Sequence, residues 1–279
     1  MAMSEHQLKA LFSSEGLLRQ MLPAFRARPG QIEFAQTIST SLTQSADLVI
    51  EAETGIGKSL GYLIPVLLSN KRVLISTYTK LLQDQIFYED LSIALRVLAS
   101  AKKVVVLKGR RNYLCPFKFG QLFDSPSMRF PADTLAEVSE IKTWSTRTHT
   151  GDLSELETLS SSLTPMITAT AEECQKQRCP RFDQCPLYTA REKADRADVV
   201  IVNHQLLMSR YENPSDDLVD LIDQMDVQLI DEADQFLRRL RETKQIAFSF
   251  RWMQELATIL DRSNADPNQY DAVLGEWAT

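Results

Sequence analysis

The sequence predicts an α/β fold in which a parallel sheet is covered by helices on both faces and interrupted by a cysteine-bearing insertion. Three observations predict it. Short apolar runs alternate with helix-length stretches, the pattern that parallel strands and crossover helices leave in a chain. The loop E-A-E-T-G-I-G-K-S, Glu51 to Ser59, joins one such run to a helix. From about residue 111 to 195 the pattern turns polar and short, with no clear buried strand, before D-V-V-I-V-N-H resumes the sheet.

The elements follow in order. Residues 5–22 read as an amphipathic helix that stops before Pro23. Strands are expected at 47–52, 72–77, 103–108, 198–203 and 227–231, where apolar residues run together as they do in strands buried on both faces. Helices are expected between them, notably over 58–69 and 79–98, and the chain beyond 236 begins as a helix. The 279 residues are enough to bury a sizeable core, and no internal repeat or low-complexity tract is present. A net charge of −6 argues against a generally basic nucleic-acid coat, so such binding would need local patches. One candidate patch is Lys102, Lys103, Lys108, Arg110, Arg111 and Lys118; another is Lys176, Arg178, Arg181, Arg191, Lys193 and Arg196. Either could equally be a solvated face. No apolar run approaches membrane-spanning length, and M-A-M-S-E-H-Q-L-K-A-L-F lacks a basic start followed by a long apolar stretch. The cytoplasm is therefore the expected location, with no membrane partner. There, the four cysteines are expected to be metal ligands or buried thiols rather than disulfides.

The loop is the first chemical signal. L-V-I-E-A reads as a strand, Gly55 and Gly57 allow backbone N–H groups to turn inward, and the next helix points its positive end at the loop. That is a phosphate cradle built from Thr54, Gly55, Ile56 and Gly57, with Ala52 standing where the general motif has its first glycine. Lys58 would reach the terminal phosphates and Ser59 would hold a magnesium ion. The second signal is V-Q-L-I-D-E-A-D, 227–234, an apolar strand ending in carboxylates. There Asp231 can hold the magnesium ion through water while Glu232 polarises the attacking water. An acidic turn after a strand is common; paired with the loop it points to ATP hydrolysis. A nucleotide kinase is the competing enzyme class, and the long insertion between Lys58 and Asp231 speaks against one.

The cysteines all fall in the insertion: Cys115, Cys174, Cys179 and Cys185, spaced C-x58-C-x4-C-x5-C, three of them followed by proline. Four thiolates suit a tetrahedral zinc or a cubane iron-sulfur cluster. The C-x2-C knuckle usual for zinc is missing, and the wider spacing leaves room for an object larger than one ion.

Together these segments resemble the DinG-type bacterial members of the iron-sulfur superfamily 2 DNA helicases, related to XPD, with the YoaA branch nearest. L-P-A-F-R-A-R-P-G-Q-I-E-F, 22–34, is similar to the family's adenine-side segment, which implies Gln31 near the base. S-T-Y-T-K-L-L-Q-D-Q, 76–85, resembles its motif Ia, where Thr77 and the helix start would touch the DNA backbone. L-K-G-R-R-N-Y-L-C, 107–115, the C-x4-C-x5-C triplet and A-D-V-V-I-V-N-H-Q-L-L, 197–207, match in order and spacing. The resemblance implies a RecA-like motor domain over 1–110 and 196–235, an iron-sulfur domain over 111–195 and the start of a helical arch over 236–279. It implies ATP, Mg2+ and a 4Fe-4S cluster as cofactors, with single-stranded and forked duplex DNA as partners and 5′ to 3′ translocation. It also implies a DNA path lined by the basic residues near Cys115 and Cys179, on which Tyr113 or Phe117 could stack, although both aromatics could equally be core.

Two residues depart from the family pattern: Asp234, where its box usually ends in histidine, and Glu53, where small residues are usual. No Q-x-x-G-R-x-x-R is present, and the T-A-T at Thr168–Thr170 precedes the acidic box rather than following it. The expectation is an N-terminal part of a longer helicase, which alone would bind nucleotide weakly and hydrolyse it poorly. The competing classes are a non-catalytic nucleic-acid-binding or adaptor module, for example beside a CRISPR effector, and a DEAD-type RNA helicase fragment with a zinc site. The sequence names no protein partner.

Overall fold

The computed structural model describes residues 5–26, 28–53, 55–124, 132–212 and 217–243. The chain begins with α1 (Glu5–Leu11), α2 (Leu17–Met21), α3 (Pro29–Gln44) and α4 (Lys58–Leu68), then β1 (Val73–Thr77). α5 (Lys80–Gln85) continues through a π-helical turn, Ile86–Asp90, into α6 (Leu91–Leu98), and β2 (Val104–Val106) follows. The polar stretch holds α7 (Pro116–Asp124), α8 (Ala132–Ser145), α9 (Thr164–Ile167) and α10 (Pro186–Asp195), joined by loops and 3-10 turns. After it come β3 (Val199–Asn203), α11 (His204–Glu212), α12 (Asp217–Asp223), β4 (Val227–Ile230) and α13 (Ala233–Thr243).

Among the described residues the sheet runs β2-β3-β1-β4 with every pair parallel. Val73 of β1 stands beside Val199 of β3 and Val227 of β4, so the chain leaves all strands at one end. β1 and β3 are buried along their whole length, as expected for central strands covered on both faces. One face packs on α1, α3, α4 and α6 through residues such as Phe12, Phe34, Leu63 and Ile75. The other packs on α10, α11 and α12 through Leu74, Val200, Leu207 and Ile222. This end-on geometry places the loops after β1, β3 and β4 together.

Four of the five expected strands form. The segment 47–52 does not: it is irregular, with Leu48 and Ile50 exposed and Val49 99% exposed. A parallel strand is most stable when neighbours bond both edges and helices cover both faces. β4 is already an outer strand of the described sheet and offers one edge. The helix expected over 5–22 is broken into α1 and α2 around Gly16, where a Cβ would stand 2.3 Å from the Ala10 carbonyl oxygen. The break turns Phe12 and Leu18 into the same core, both at 0% exposure. The helix expected over 79–98 is present from Lys80 to Leu98, with Thr79 capping it through a 3.2 Å bond from Leu82 N–H and the π turn inside it.

The cysteine-bearing stretch carries a small core of its own, Leu114, Phe119, Leu122, Val138, Ile141, Leu153, Leu163 and Ile167. It nevertheless belongs to one compact unit, Met1–Phe236. A second unit, Leu237–Thr279, is described only to Thr243, so most of the expected arch segment 236–279 lies outside the described residues.

Candidate functional site

The loop before α4 has the backbone that a phosphate cradle requires. Gly55 and Gly57 have φ +80° and +87°, in the left-handed region, and Gly57 caps α4 at its positive end. A Cβ at Gly57 would stand 2.3 Å from Gln31 Nε2, which instead donates a 2.9 Å hydrogen bond to the Gly57 carbonyl. Gln31, expected beside the base, is 2% exposed and holds the loop itself. Lys58 Nζ donates to Ala52 O at 3.3 Å, folding over the loop it belongs to. Thr54 lies outside the described residues.

Asp231 leaves β4 into this end. Its N–H donates to Ser76 O of β1 at 2.9 Å, its Oδ1 accepts from Glu232 N–H at 3.0 Å, and its Oδ2 accepts from Tyr62 Oη–H at 3.2 Å. Tyr62 sits one helical turn after Ser59, so the first turns of α4 and the end of β4 meet at one point. Glu232 has φ +54°, a conformation that costs a non-glycine residue about 1–3 kcal/mol, and it is exposed. Partial burial, then Asp231 and Asp234, push the Glu232 carboxyl above the ordinary range, while Lys58 opposes them. Lys58 and Ser59 at the start of α4 and Asp231 and Glu232 after β4 thus lie where Tyr62 joins the two elements. Sequence reading missed Tyr62, which looked like one more core residue of an apolar helix, and Asp90. Burial raises Asp90's carboxyl pKa, and the Ser59 hydroxyl facing it offsets part of that. A second missed residue group is Ser76 and His204, whose Oγ and Nδ1 are 2.8 Å apart beneath the site. A magnesium ion is held by one or two protein carboxylates plus substrate phosphates, so Ser59 and Asp231 are a sufficient protein share.

The four cysteines, all partly buried, line one cavity of about 290 Å3 together with Phe117, Lys118, Arg181, Phe182 and Tyr188. Burial pushes the Cys115 and Cys185 thiols up, and the neighbouring cysteines add to it. Among the described residues no three of His, Cys, Asp or Glu converge closely enough to grip a single ion. The cavity is framed by backbone bonds across the stretch: Leu114 N–H to Gly151 O at 2.9 Å and Cys115 N–H to Ile167 O at 2.7 Å.

Several surface roles anticipated from the sequence do not fit. Lys108 is no part of an open basic patch: at 3% exposure its Nζ meets Asp84 at 3.0 Å, Asp152 at 2.8 Å and the Ser154 hydroxyl at 3.0 Å. Burial alone would lower its pKa, but the ion pairs outweigh it and hold it above the ordinary lysine value. Lys118 is bound to Glu173 at 2.8 Å and Lys102 to the Ser69 carbonyl. Tyr113 is 5% exposed, its hydroxyl accepts from Lys108 N–H at 3.1 Å, and burial pushes the phenol up to about 12, so it is core rather than a stacking platform. Thr77 is likewise buried, its hydroxyl on Thr79 O at 3.2 Å; Lys80 and Leu81 are the exposed residues at that helix start. Of the second patch, Arg178, Arg181 and Lys193 are exposed, and Arg196 is paired with Glu192 at 2.7 Å.

Comparison with known proteins bears on this geometry. Residues 28–111, which carry the loop, match the family described as DEAD/DEAH box helicase. An ATP-dependent DNA helicase YoaA of Haemophilus influenzae is 38% identical over 233 residues, 83% of this chain and 36% of that protein. The ATP-dependent DNA helicase YoaA of Escherichia coli is 35% identical over 226 residues, 80% of this chain and 35% of that protein. A protein named 3′-5′ exonuclease DinG from Bacillus subtilis is 32% identical over 201 residues, 70% of this chain and 21% of that protein. The chain spans about a third of the length of the YoaA relatives it matches.

Proposed function

Because the chain belongs to the family of DinG- and YoaA-type helicases, we propose that it is the N-terminal portion of an ATP-dependent DNA helicase. The observation that carries this is the meeting of α4 and β4 through Tyr62 and Asp231, which sets Lys58, Ser59, Asp231 and Glu232 around one space. In it, Gly55, Ile56, Gly57 and, by motif, Thr54 wrap the phosphates, and Lys58 leaves the Ala52 carbonyl to neutralise them. Ser59 and Asp231 would hold Mg2+, which when bound would neutralise phosphate charge, and Glu232, whose raised pKa suits a proton acceptor, would orient the attacking water. Gln31 acts on the nucleotide through its grip on the loop.

The same proposal assigns the RecA-like motor domain to 1–110 and 196–235, the iron-sulfur domain to 111–195 and the arch to 236–279. Cys115, Cys174, Cys179 and Cys185 would ligate a 4Fe-4S cluster, which when bound supplies a rigid cross-link between distant loops. Two features favour a cluster over zinc. All four cysteines line one cavity, and their spacing lacks the C-x2-C knuckle usual for zinc. Single-stranded and forked DNA, 5′ to 3′ movement and a cytoplasmic location complete the reading. Among the described residues no helix is long and apolar enough to cross a membrane. DNA rather than RNA is favoured by relatives named as DNA helicases despite Asp234.

The deciding experiment is binding of a fluorescent ATP analogue with Mg2+ to the chain and to Lys58→Ala. The variant should bind at least about tenfold more weakly, the loss of a charge-assisted phosphate contact. Equal affinity would overturn the assignment of the loop.

A further inference from the structure

Ser59 and Tyr62 lie three residues apart on α4 and so share one face of the helix. The Tyr62 ring is fixed in the core at 2% exposure, and its hydroxyl reaches the sheet's C-terminal end to donate to Asp231 Oδ2 at 3.2 Å. The other carboxylate oxygen accepts from Glu232 N–H at 3.0 Å, and the Asp231 backbone is pinned to Ser76 O at 2.9 Å. Each oxygen of Asp231 therefore has a donor, one from its own turn and one from the helix that carries Ser59.

We propose that Tyr62 is a positioning residue for the magnesium ion: its hydroxyl sets Asp231 at a fixed separation from Ser59, because both are then referred to one helix. This rests on the nucleotide-site reading above and adds to it a group that never touches nucleotide or metal. The physical reason is entropic. A carboxylate held by one bond sweeps a cone of rotamers, and the ion must order it on binding; held by two, it is ordered beforehand. The phosphate cradle, made of backbone N–H groups and Lys58, does not involve the phenol, so the effect should fall on the metal and spare the nucleotide.

The test uses the whole chain and two titrations. With a fluorescent ATP analogue at fixed concentration, the Mg2+ midpoint of binding is measured for the native chain and for Tyr62→Phe, which removes only the hydroxyl. The analogue's affinity is then measured in EDTA, and the thermal midpoint is recorded. Tyr62→Phe should raise the Mg2+ midpoint about tenfold, the lower end of what outer-shell partners contribute, given a neutral bond of this length. Metal-free affinity should not change. Asp231→Asn, which leaves the buried ring intact, should raise the midpoint at least as much, and adding Tyr62→Phe to it should add nothing. An unchanged midpoint, an additive double variant, or a metal-free affinity that falls by the same factor would each overturn the role. Were the native chain to bind the analogue without any Mg2+ dependence, the nucleotide-site reading would fall first and this inference with it.

Discussion

Asp231 and Cys179 are each expected to hold a metal, but the molecule holds the two residues by opposite means. Asp231 ends a sheet strand, and its N–H and both carboxylate oxygens have partners on β1, α4 and its own turn. Cys179 stands between two 3-10 turns, with Cys174 and Cys185 close to it in the chain and Cys115 brought in from before α7. The first site is organised before any ligand arrives. The second takes three of its cysteines from 174–185, a segment that adds nothing to the eight-residue core of the stretch, so a cofactor there would supply much of the order. On the proposed reading the contrast teaches where ligand binding and folding separate: they would at the nucleotide end, and they would not at the cysteines.

Breaking the contrast at its strongest point means removing a cysteine. Cys179→Ser should abolish iron, measured with sulfide and visible absorption on protein purified without oxygen, and should open 111–195 to limited proteolysis. Binding of the ATP analogue should persist. Loss of both together would show that the two regions fold as one. About four irons per native chain are expected for a cubane cluster; zinc, or no metal, would move the adaptor and RNA-directed readings forward.

The joint between the regions is the next largest effect. Lys108 follows β2, Asp84 lies on α5 and Asp152 in the cysteine-bearing stretch, so one buried ammonium ties the helix at the end of β1 to the insertion. Lys108→Met leaves both carboxylates facing a neutral chain and should cost about 3 kcal/mol, the low end for a broken buried pair because Asp84 is partly exposed. Urea unfolding measures it, and a change under about 1 kcal/mol would reduce the joint to an ordinary surface pair.

The smallest effect sharpens the picture inside the insertion. Glu155 accepts from Trp144 Nε1 at 2.9 Å, from the Thr148 hydroxyl at 2.7 Å and from the Thr150 hydroxyl. These three donors outweigh its burial and hold the carboxyl below the ordinary glutamate range. A depressed folded pKa stabilises the fold above the unfolded glutamate value and loses that contribution as pH falls through the folded one. Glu155 is exposed, so solvent screening discounts the effect: Glu155→Gln should cost about 0.5 kcal/mol near neutral pH, and the difference from the native chain should vanish in acid.

Much of the fold was legible because its signals are local. V-L-I at 73–75 and V-V-I-V at 199–202 are apolar throughout since both faces of β1 and β3 are covered, and such runs admit few other readings. The same rule misled at 47–52, because a run of apolar residues states that burial is favourable and not that it occurs: Leu48, Val49 and Ile50 are exposed and, among the described residues, paired with no strand. The basic-patch reading of Lys108 and the stacking reading of Tyr113 fail for a related cause, and the core alternative for Tyr113 holds. A lysine among basic neighbours looks like a phosphate contact until Asp84 and Asp152 are brought to it from distant segments.

The sequence by itself determined the phosphate loop, the acidic turn, the order of the parallel strands' elements and the gathering of every cysteine in one insertion, because each is written in adjacent residues. Only the tertiary structure decided that Tyr62 rather than a neighbour holds Asp231, that Gln31 holds Gly57, and that Lys108 joins the regions instead of facing nucleic acid. Those are pairings across 169, 26 and 24 or more positions, and a hydrogen bond or ion pair exists only once the packed core has fixed both partners within about 3 Å.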